Sequence, residues 1–241
     1  MKWAGVMPYV HQEYADACIA SMSSYFLINM LLIDNTKNNI GIMASHNKGI
    51  EFMKNNDADW LVVVSAGIRF GEAGGMDFID ELQYHPDALL VHGAGLWFDK
   101  GKEHTARQAL GWHLTAFRKE IFDVAGGWDE NFTPYGLDDT DLTLRMIKGF
   151  PDTYKIEVAD VDMSHASTSH SITLAGVKSA YAPRESYFKR KWGRGGGEWQ
   201  SMGYDYPFND PSLPLSFCPD KDDPRSIWQN EYLTGGYKFD E

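Results

Sequence analysis

Trp60-Leu-Val-Val-Val64 is the run that most restricts the fold: five apolar residues, three of them β-branched, with neither face left polar. A strand that is apolar on both sides has to be covered on both, which is the condition of an inner strand in a sheet with helices above and below it. The run stops at Ser65-Ala66-Gly67, and two strand-and-helix units precede it. Residues 3–10 read as a short buried strand, and 11–25 as a helix with Ala15, Cys18, Ile19 and Met22 along one stripe. A second apolar run fills 29–34 and is closed by Asn35-Thr-Lys-Asn-Asn39, a turn-forming cluster, after which 44–55 read as helix. This alternation predicts a doubly wound α/β sheet that receives ligands at its strand carboxyl ends, where Pro8, Asp34 and Ser65 fall.

Farther along, 89–98 read as a strand or strand pair, 118–125 as a short helix, 154–161 as a late strand and 174–191 as a helix. After Gly193 the chain turns to Gly, Pro, Asp and aromatics, and five prolines from Pro207 to Pro224 oppose long regular elements. Trp199, Tyr204, Tyr206, Phe208, Phe217, Trp228 and Tyr232 nevertheless supply apolar area that disordered tails lack. We expect one domain over 1–192 and an irregular extension over 193–241 packed on it. Its 241 residues, 43% hydrophobic, suffice for a sizeable core.

A net charge of −12 argues against broad attraction to nucleic acid or anionic membrane, and leaves one basic cluster, Arg184, Lys189, Arg190, Lys191 and Arg194, for local work. Cys18 and Cys218 are too far apart and too few for a disulfide framework or a thiolate zinc site, which fits a reducing compartment. No apolar run approaches the ~18 residues that cross a bilayer, and no apolar signal core precedes the first strand. The expectation is a soluble cytoplasmic protein.

The residues that crowd together chemically are Val124-Ala-Gly-Gly-Trp-Asp-Glu-Asn-Phe132 and then Tyr135-Gly-Leu-Asp-Asp-Thr-Asp-Leu-Thr-Leu-Arg145. Asp138, Asp139 and Asp141 repel one another, so a fold keeps them together only if caps, cations, a metal or a reacting proton offset the repulsion. Capping the helix that follows accounts for one acceptor, not three. The segment resembles the acceptor-side motif of inverting glycosyltransferases with the GT-A fold, of the family-two and galactosyltransferase type. That motif usually reads Gly-Gly-Phe-Asp-Glu, a short loop, then Glu-Asp-x-Asp-Leu and an arginine. Asp138 stands in place of the usual Glu, and Asp139 falls where that family places its general base.

The resemblance runs over residues 2–192 in several ordered pieces. Pro8-Tyr9 resembles the family's first nucleotide-side turn, Asp34-Asn35-Thr36 its base-contacting Asp-Asn-Ser turn, and Asn47-Lys-Gly49 its Asn-x-Gly signature. A strand-end carboxylate and a helix N-terminus are chemically suited to a base or ribose and to phosphate oxygens. Gly111-Trp112-His113 resembles the small-residue turn that lies beneath the donor sugar, and Trp112, Gly127 and Trp128 are candidates for the sugar and acceptor side. Ser65-Ala66-Gly67 departs from the family, because it stands where Asp-x-Asp holds manganese or magnesium on the diphosphate. A hydroxyl and a backbone position do not replace two anionic oxygen ligands for such a hard cation. Neutralising the diphosphate then falls to Arg69, to Arg190 and Lys191 in the basic cluster, and to His165, which the family uses for a diphosphate oxygen or for metal.

The resemblance thus implies an α/β fold of the GT-A, Rossmann-like type, a mixed and mainly parallel sheet flanked by helices. It also implies transfer of a sugar from a nucleoside-diphosphate donor, UDP favoured, with inversion and with Asp138 and Asp141 beside Asp139 in the catalytic loop. The acceptor hydroxyl is left open among a glycan, a protein, a metabolite and modified nucleic acid. A catalytically silent module that binds a nucleotide sugar, a glycan or a partner is the competing reading, favoured by Ser65-Ala66-Gly67. A two-metal hydrolase built on Asp138, Asp139, Asp141, Asp162 and His165 is a minor third.

Overall fold

A computed structural model of the chain describes residues 1–94, 112–132, 136–150, 156–165, 185–189 and 191–192. The first half alternates as the apolar pattern predicts: β1 (Trp3–Tyr9), α1 (Gln12–Ser21), α2 (Ser24–Leu27), β2 (Met30–Asp34), α3 (Ile42–Asn55) and β3 (Trp60–Val64). There follow β4 (Ile68–Phe70), α4 (Met76–Glu81), β5 (Leu90–Ala94), β6 (Leu114–Arg118), α5 (Lys119–Val124), α6 (Asp138–Gly149), β7 (Ile156–Asp160) and β8 (Met163–His165). Residues 185–189 and 191–192 are helical.

The main sheet runs β2-β1-β3-β6-β5-β7. Pairings β1–β2, β1–β3 and β5–β7 are parallel, whereas β6 is antiparallel to both β3 and β5. It is a mixed sheet flanked by helices. Side chains that alternate along a strand fall on opposite faces and so feed two separate cores. Ala4, Val6, Leu61 and Val63 pack with α3, α5, α6 and the late helical segment. Trp3, Met7, Trp60, Val62 and Val64 pack on the other face, against α1, α2 and α4. All five residues of β3 are buried, as an inner strand requires.

Several elements depart from the sequence expectation. The helix expected over 11–25 breaks after Ser21, because Met22 is extended and Ser23 caps α2 with its hydroxyl, which accepts from the Phe26 N–H at 3.1 Å. Arg118 ends β6 instead of opening a helix, its guanidinium lying 4.5 Å over the Trp60 ring. The short elements β4, α4, β6 and β8 were not anticipated. Residues 95–98 of the expected strand, 174–184 of the expected late helix and the extension over 193–241 lie outside the described residues. Among the described residues no helix is long and apolar enough to cross a membrane.

Candidate active site

The parallel strands β1 and β2 bring Pro8 opposite Ile33 and Tyr9 opposite Asp34, so the two expected nucleotide-side turns sit side by side at carboxyl ends. Asp34 is exposed, and its Oδ1 accepts from the Thr36 N–H at 2.8 Å and the Thr36 hydroxyl at 2.6 Å. Those two bonds hold its carboxyl below the usual carboxylate range. Asn35 is buried and fixes the turn from inside, donating to the Ser45 hydroxyl at 3.0 Å and accepting from the Ile40 N–H.

At the end of β3 the Ser65 hydroxyl lies 3.3 Å from His165 Nε2, and the rings of His113 and His165 meet edge to face at 4.5 Å. Because β6 runs backwards, His113 just ahead of it reaches this same place, where its carbonyl accepts from the Ser65 N–H at 2.6 Å. Burial, with His165 adding to it, pushes His113 down to about 4. Burial and the Arg69 guanidinium likewise lower His165. Both imidazoles are therefore neutral at pH 7. Arg69 turns its Nη1 onto the Ala66 and Ile68 carbonyls, at 3.0 and 2.7 Å. A hard divalent ion selects carboxylate-rich oxygen sites. Ser65 with His165 does not supply one, and among the described residues no group of three or more His, Cys, Asp or Glu is placed to hold a metal ion.

Asn47 and Gly49, expected against the nucleotide, are used differently. Gly49 lets α3 settle onto β1, since a Cβ there would stand 2.6 Å from Val6 Cγ1. Asn47 grips the loop after α5. Its Nδ2 donates to the Trp128 carbonyl at 2.9 Å and to Glu130 Oε1 at 2.8 Å, while its Oδ1 accepts from the Trp128 N–H at 2.8 Å. Trp128 is 1% exposed and packs on His46, Trp112, Phe117 and Phe122, so its ring belongs to the core and presents no open platform for a sugar. Trp112 is only partly buried and meets Trp128 edge to face at 5.7 Å, which leaves it the better candidate of the two.

The carboxylate turn is unusual in its backbone. Leu137 precedes α6 at φ 68°, in the left-handed region, directly after Gly136 at φ 99°. A non-glycine residue held there costs on the order of 1–3 kcal/mol and persists only where its surroundings enforce it. No side chain caps α6. Asp138 Oδ1 instead reaches back to accept from the Gly136 N–H at 3.1 Å, and Asp139 Oδ1 accepts from the Thr140 N–H at 2.7 Å and its hydroxyl at 3.3 Å. All three carboxylates lie in the first turn, where the helix dipole favours negative charge. Asp139 meets no cation among the described residues. Burial raises its pKa above the usual carboxylate range, against the opposing pull of the Thr140 bonds.

Asp141 has a different environment, although it is two residues away. It is fully buried, with Oδ2 paired to Arg145 Nε and Nη2 at 2.9 and 2.8 Å and Oδ1 to the Trp192 indole at 2.8 Å and to Lys191 Nζ at 2.9 Å. Desolvation pushes its pKa up, but Arg145 and Lys191 outweigh that and hold it low. Lys191 Nζ also lies 2.8 Å from Asp129 Oδ2, which accepts from the Tyr187 hydroxyl at 2.6 Å. Asp141 and Lys191, expected in the catalytic loop and at the diphosphate, are thus committed to a buried network that joins α6, the Trp128 loop and the late helical segment. Arg145 Nη1 adds a bond to the Ala125 carbonyl. Gly111 and Arg190 lie outside the described residues. Sequence reading missed Asp129, Tyr187 and His113. Asp129 lies inside the Gly-Gly-Trp-Asp-Glu motif and His113 inside the Gly-Trp-His turn, so motif membership alone did not mark their roles.

No protein-family model and no curated protein matches the sequence. Solved structures do match. The catalytic domain of Drosophila beta1,4galactosyltransferase 7 with xylobiose aligns at a TM-score of 0.51 and 14% identity, over 70% of this chain and 72% of that one. A mutant of the same enzyme with manganese, UDP-Gal and xylobiose aligns at 0.52 and 12%, over 72% and 74%. Glucosyl-3-phosphoglycerate synthase from Mycobacterium tuberculosis with magnesium and uridine-diphosphate gives 0.48 and 12%, over 76% and 79%. The fold is that of the GT-A glycosyltransferases: a mixed central sheet flanked by helices.

Proposed function

We propose that this protein transfers a glycosyl group from a nucleoside-diphosphate sugar, UDP-sugar favoured, to an acceptor hydroxyl with inversion, and that Asp139 is the general base. The observation that carries the reading is the divergence within one helical turn. Asp141 is neutralised by Arg145 and Lys191, while Asp139 meets no cation among the described residues and has a raised pKa. Paired carboxylates pushed in opposite directions are the pattern of a structural anion beside a working proton acceptor.

In the step proposed, Asp139 takes the proton of the acceptor hydroxyl as that oxygen attacks the anomeric carbon. The bond from the anomeric carbon to the diphosphate oxygen breaks on the opposite face, and the nucleoside diphosphate leaves with the bonding electrons. General-base assistance of this kind is worth ~100- to 10,000-fold. Asp138 buttresses the turn through Gly136. Asp34 and Pro8-Tyr9 at the end of β1 supply the nucleotide side, and Ser65, Arg69 and His165 line the diphosphate end. Ligand placement at strand carboxyl ends and the galactosyltransferase fold neighbours support this reading.

The carboxylate-free end of β3 favours one competitor, a module that binds a nucleotide sugar without turning it over. Incubating the protein with nucleotide sugars and hydroxyl acceptors and measuring free nucleoside diphosphate separates the two. Release that disappears in Asp139→Asn supports transfer, and tight donor binding with no release in any acceptor mixture supports the silent module.

A further inference from the structure

Resting on the assignment of Asp139 above, we infer that Asn47 and Gly127 form a lock that positions the carboxylate turn relative to the nucleotide half of the fold. Asn47 is thus a positioning residue, not a nucleotide ligand. A single primary amide reads both the N–H and the C=O of Trp128, and its second amide hydrogen goes to Glu130. Both amide hydrogens and one lone pair of Oδ1 are thereby spent on one loop about eighty residues away, as the separations of 81 and 83 positions show.

Gly127 is the other half. Its φ is not in the left-handed region, so the backbone alone would admit alanine. A Cβ, however, would stand 2.5 Å from Asn47 Oδ1 and 3.2 Å from Ile50 Cδ1. The side-chain amide is what forbids it. The Asn-x-Gly and Gly-Gly-Trp-Asp-Glu segments are in this respect two faces of one contact. Beyond it the path continues: Asp129 pairs with Lys191, Lys191 with Asp141, and Arg145 reaches the Ala125 carbonyl, so one chain of contacts joins the loop to the first turn of α6. Helix α3 begins just after the Asp34 turn, and the lock therefore ties the two halves of the candidate site together.

The test is a cycle of Asn47→Ala, Gly127→Ala and the double variant. Each single variant should lower kcat at least about tenfold while changing the dissociation constant for the nucleotide less than about twofold, a split that marks lost geometry and not lost binding. Gly127→Ala should cost less than about twofold once made in the Asn47→Ala background, because the obstructing oxygen is gone. Amide hydrogen exchange should speed up at 128–132 and 137–141 in Asn47→Ala and stay unchanged in β1 and β3. Weakened nucleotide binding with unchanged exchange at 128–132 would return Asn47 to the nucleotide, and additive losses in the cycle would remove the lock. If the wild-type chain transfers no sugar, the assignment of Asp139 fails, while exchange rates and unfolding midpoints of the same variants still decide the lock.

Discussion

Replacing Lys191 by methionine separates a buried structural cation from a diphosphate ligand. The Lys191 side chain is 3% exposed and its Nζ stands 2.8 Å from Asp129 Oδ2 and 2.9 Å from Asp141 Oδ1, both carboxylates being 0% exposed. Methionine keeps most of the stem volume, so the change is mainly electrostatic: among the described residues it leaves Asp129 with only neutral donors and Asp141 with one cation in place of two. Removing one partner of a buried, hydrogen-bonded pair costs about 3–5 kcal/mol. For a domain of this size a loss of 1 kcal/mol lowers Tm by about 2–4 °C, giving roughly 6–20 °C. Thermal and urea unfolding measure it directly.

The pH dependence adds a second readout. Asp141 has a folded pKa below its unfolded value, so its contribution is complete above the unfolded value of about 3.9 and disappears as pH falls through the lower folded one. Lys191→Met should move that acid loss to higher pH. Adding Asp129→Asn to Lys191→Met should recover part of the stability, since it removes one stranded charge. A cost below about 1 kcal/mol, the range of exposed pairs, together with a large loss of nucleotide affinity, would refute the reasoning and restore Lys191 to the diphosphate.

Asp139→Asn should lower turnover at least about 100-fold with donor affinity retained, measured by nucleoside-diphosphate release. Its stability effect has the opposite sign to that of Lys191→Met. Asp139 has a raised folded pKa, so the stability linked to its proton is present below about pH 3.9 and lost as pH rises through the folded value. Asp139→Asn should therefore be more stable than the wild type at pH 7, with the gap closing under acid. A chelator should leave turnover within about twofold, because Ser65 and His165 offer no carboxylate to a hard cation, and a gain above about tenfold on adding manganese would reject that reading. The rate should also fall on the acid side at a pH above that of an ordinary carboxylate, and a limb near pH 4 would argue against Asp139 as the base.

The sequence displayed the first half of the fold because β3 is apolar on both faces and its neighbours are short, regular and punctuated by turn residues. It concealed β6. Leu114-Thr-Ala-Phe-Arg118 is short and mixed in character, and no local pattern encodes whether a strand runs with or against its neighbour, which depends on a partner far away in sequence. In the candidate site, residue types pointed to a crowded carboxylate turn, but they could not say which aspartate is paired with cations. That depends on Arg145 one turn further along α6 and on Lys191 fifty residues later. Asn47 and Trp128 were legible as motif members, but a pattern of residues does not state whether an amide faces outward or, as in Asn47, inward to a backbone.

The reversed direction of β6 has a bearing on how such a protein diversifies. A strand that runs with its neighbours sends its outgoing connection to the ligand side; β6 sends its incoming one, delivering His113 beside Ser65. Changes at Trp112 and His113, the two described residues ahead of β6, would therefore reshape the surroundings of Ser65 without disturbing any register in the sheet.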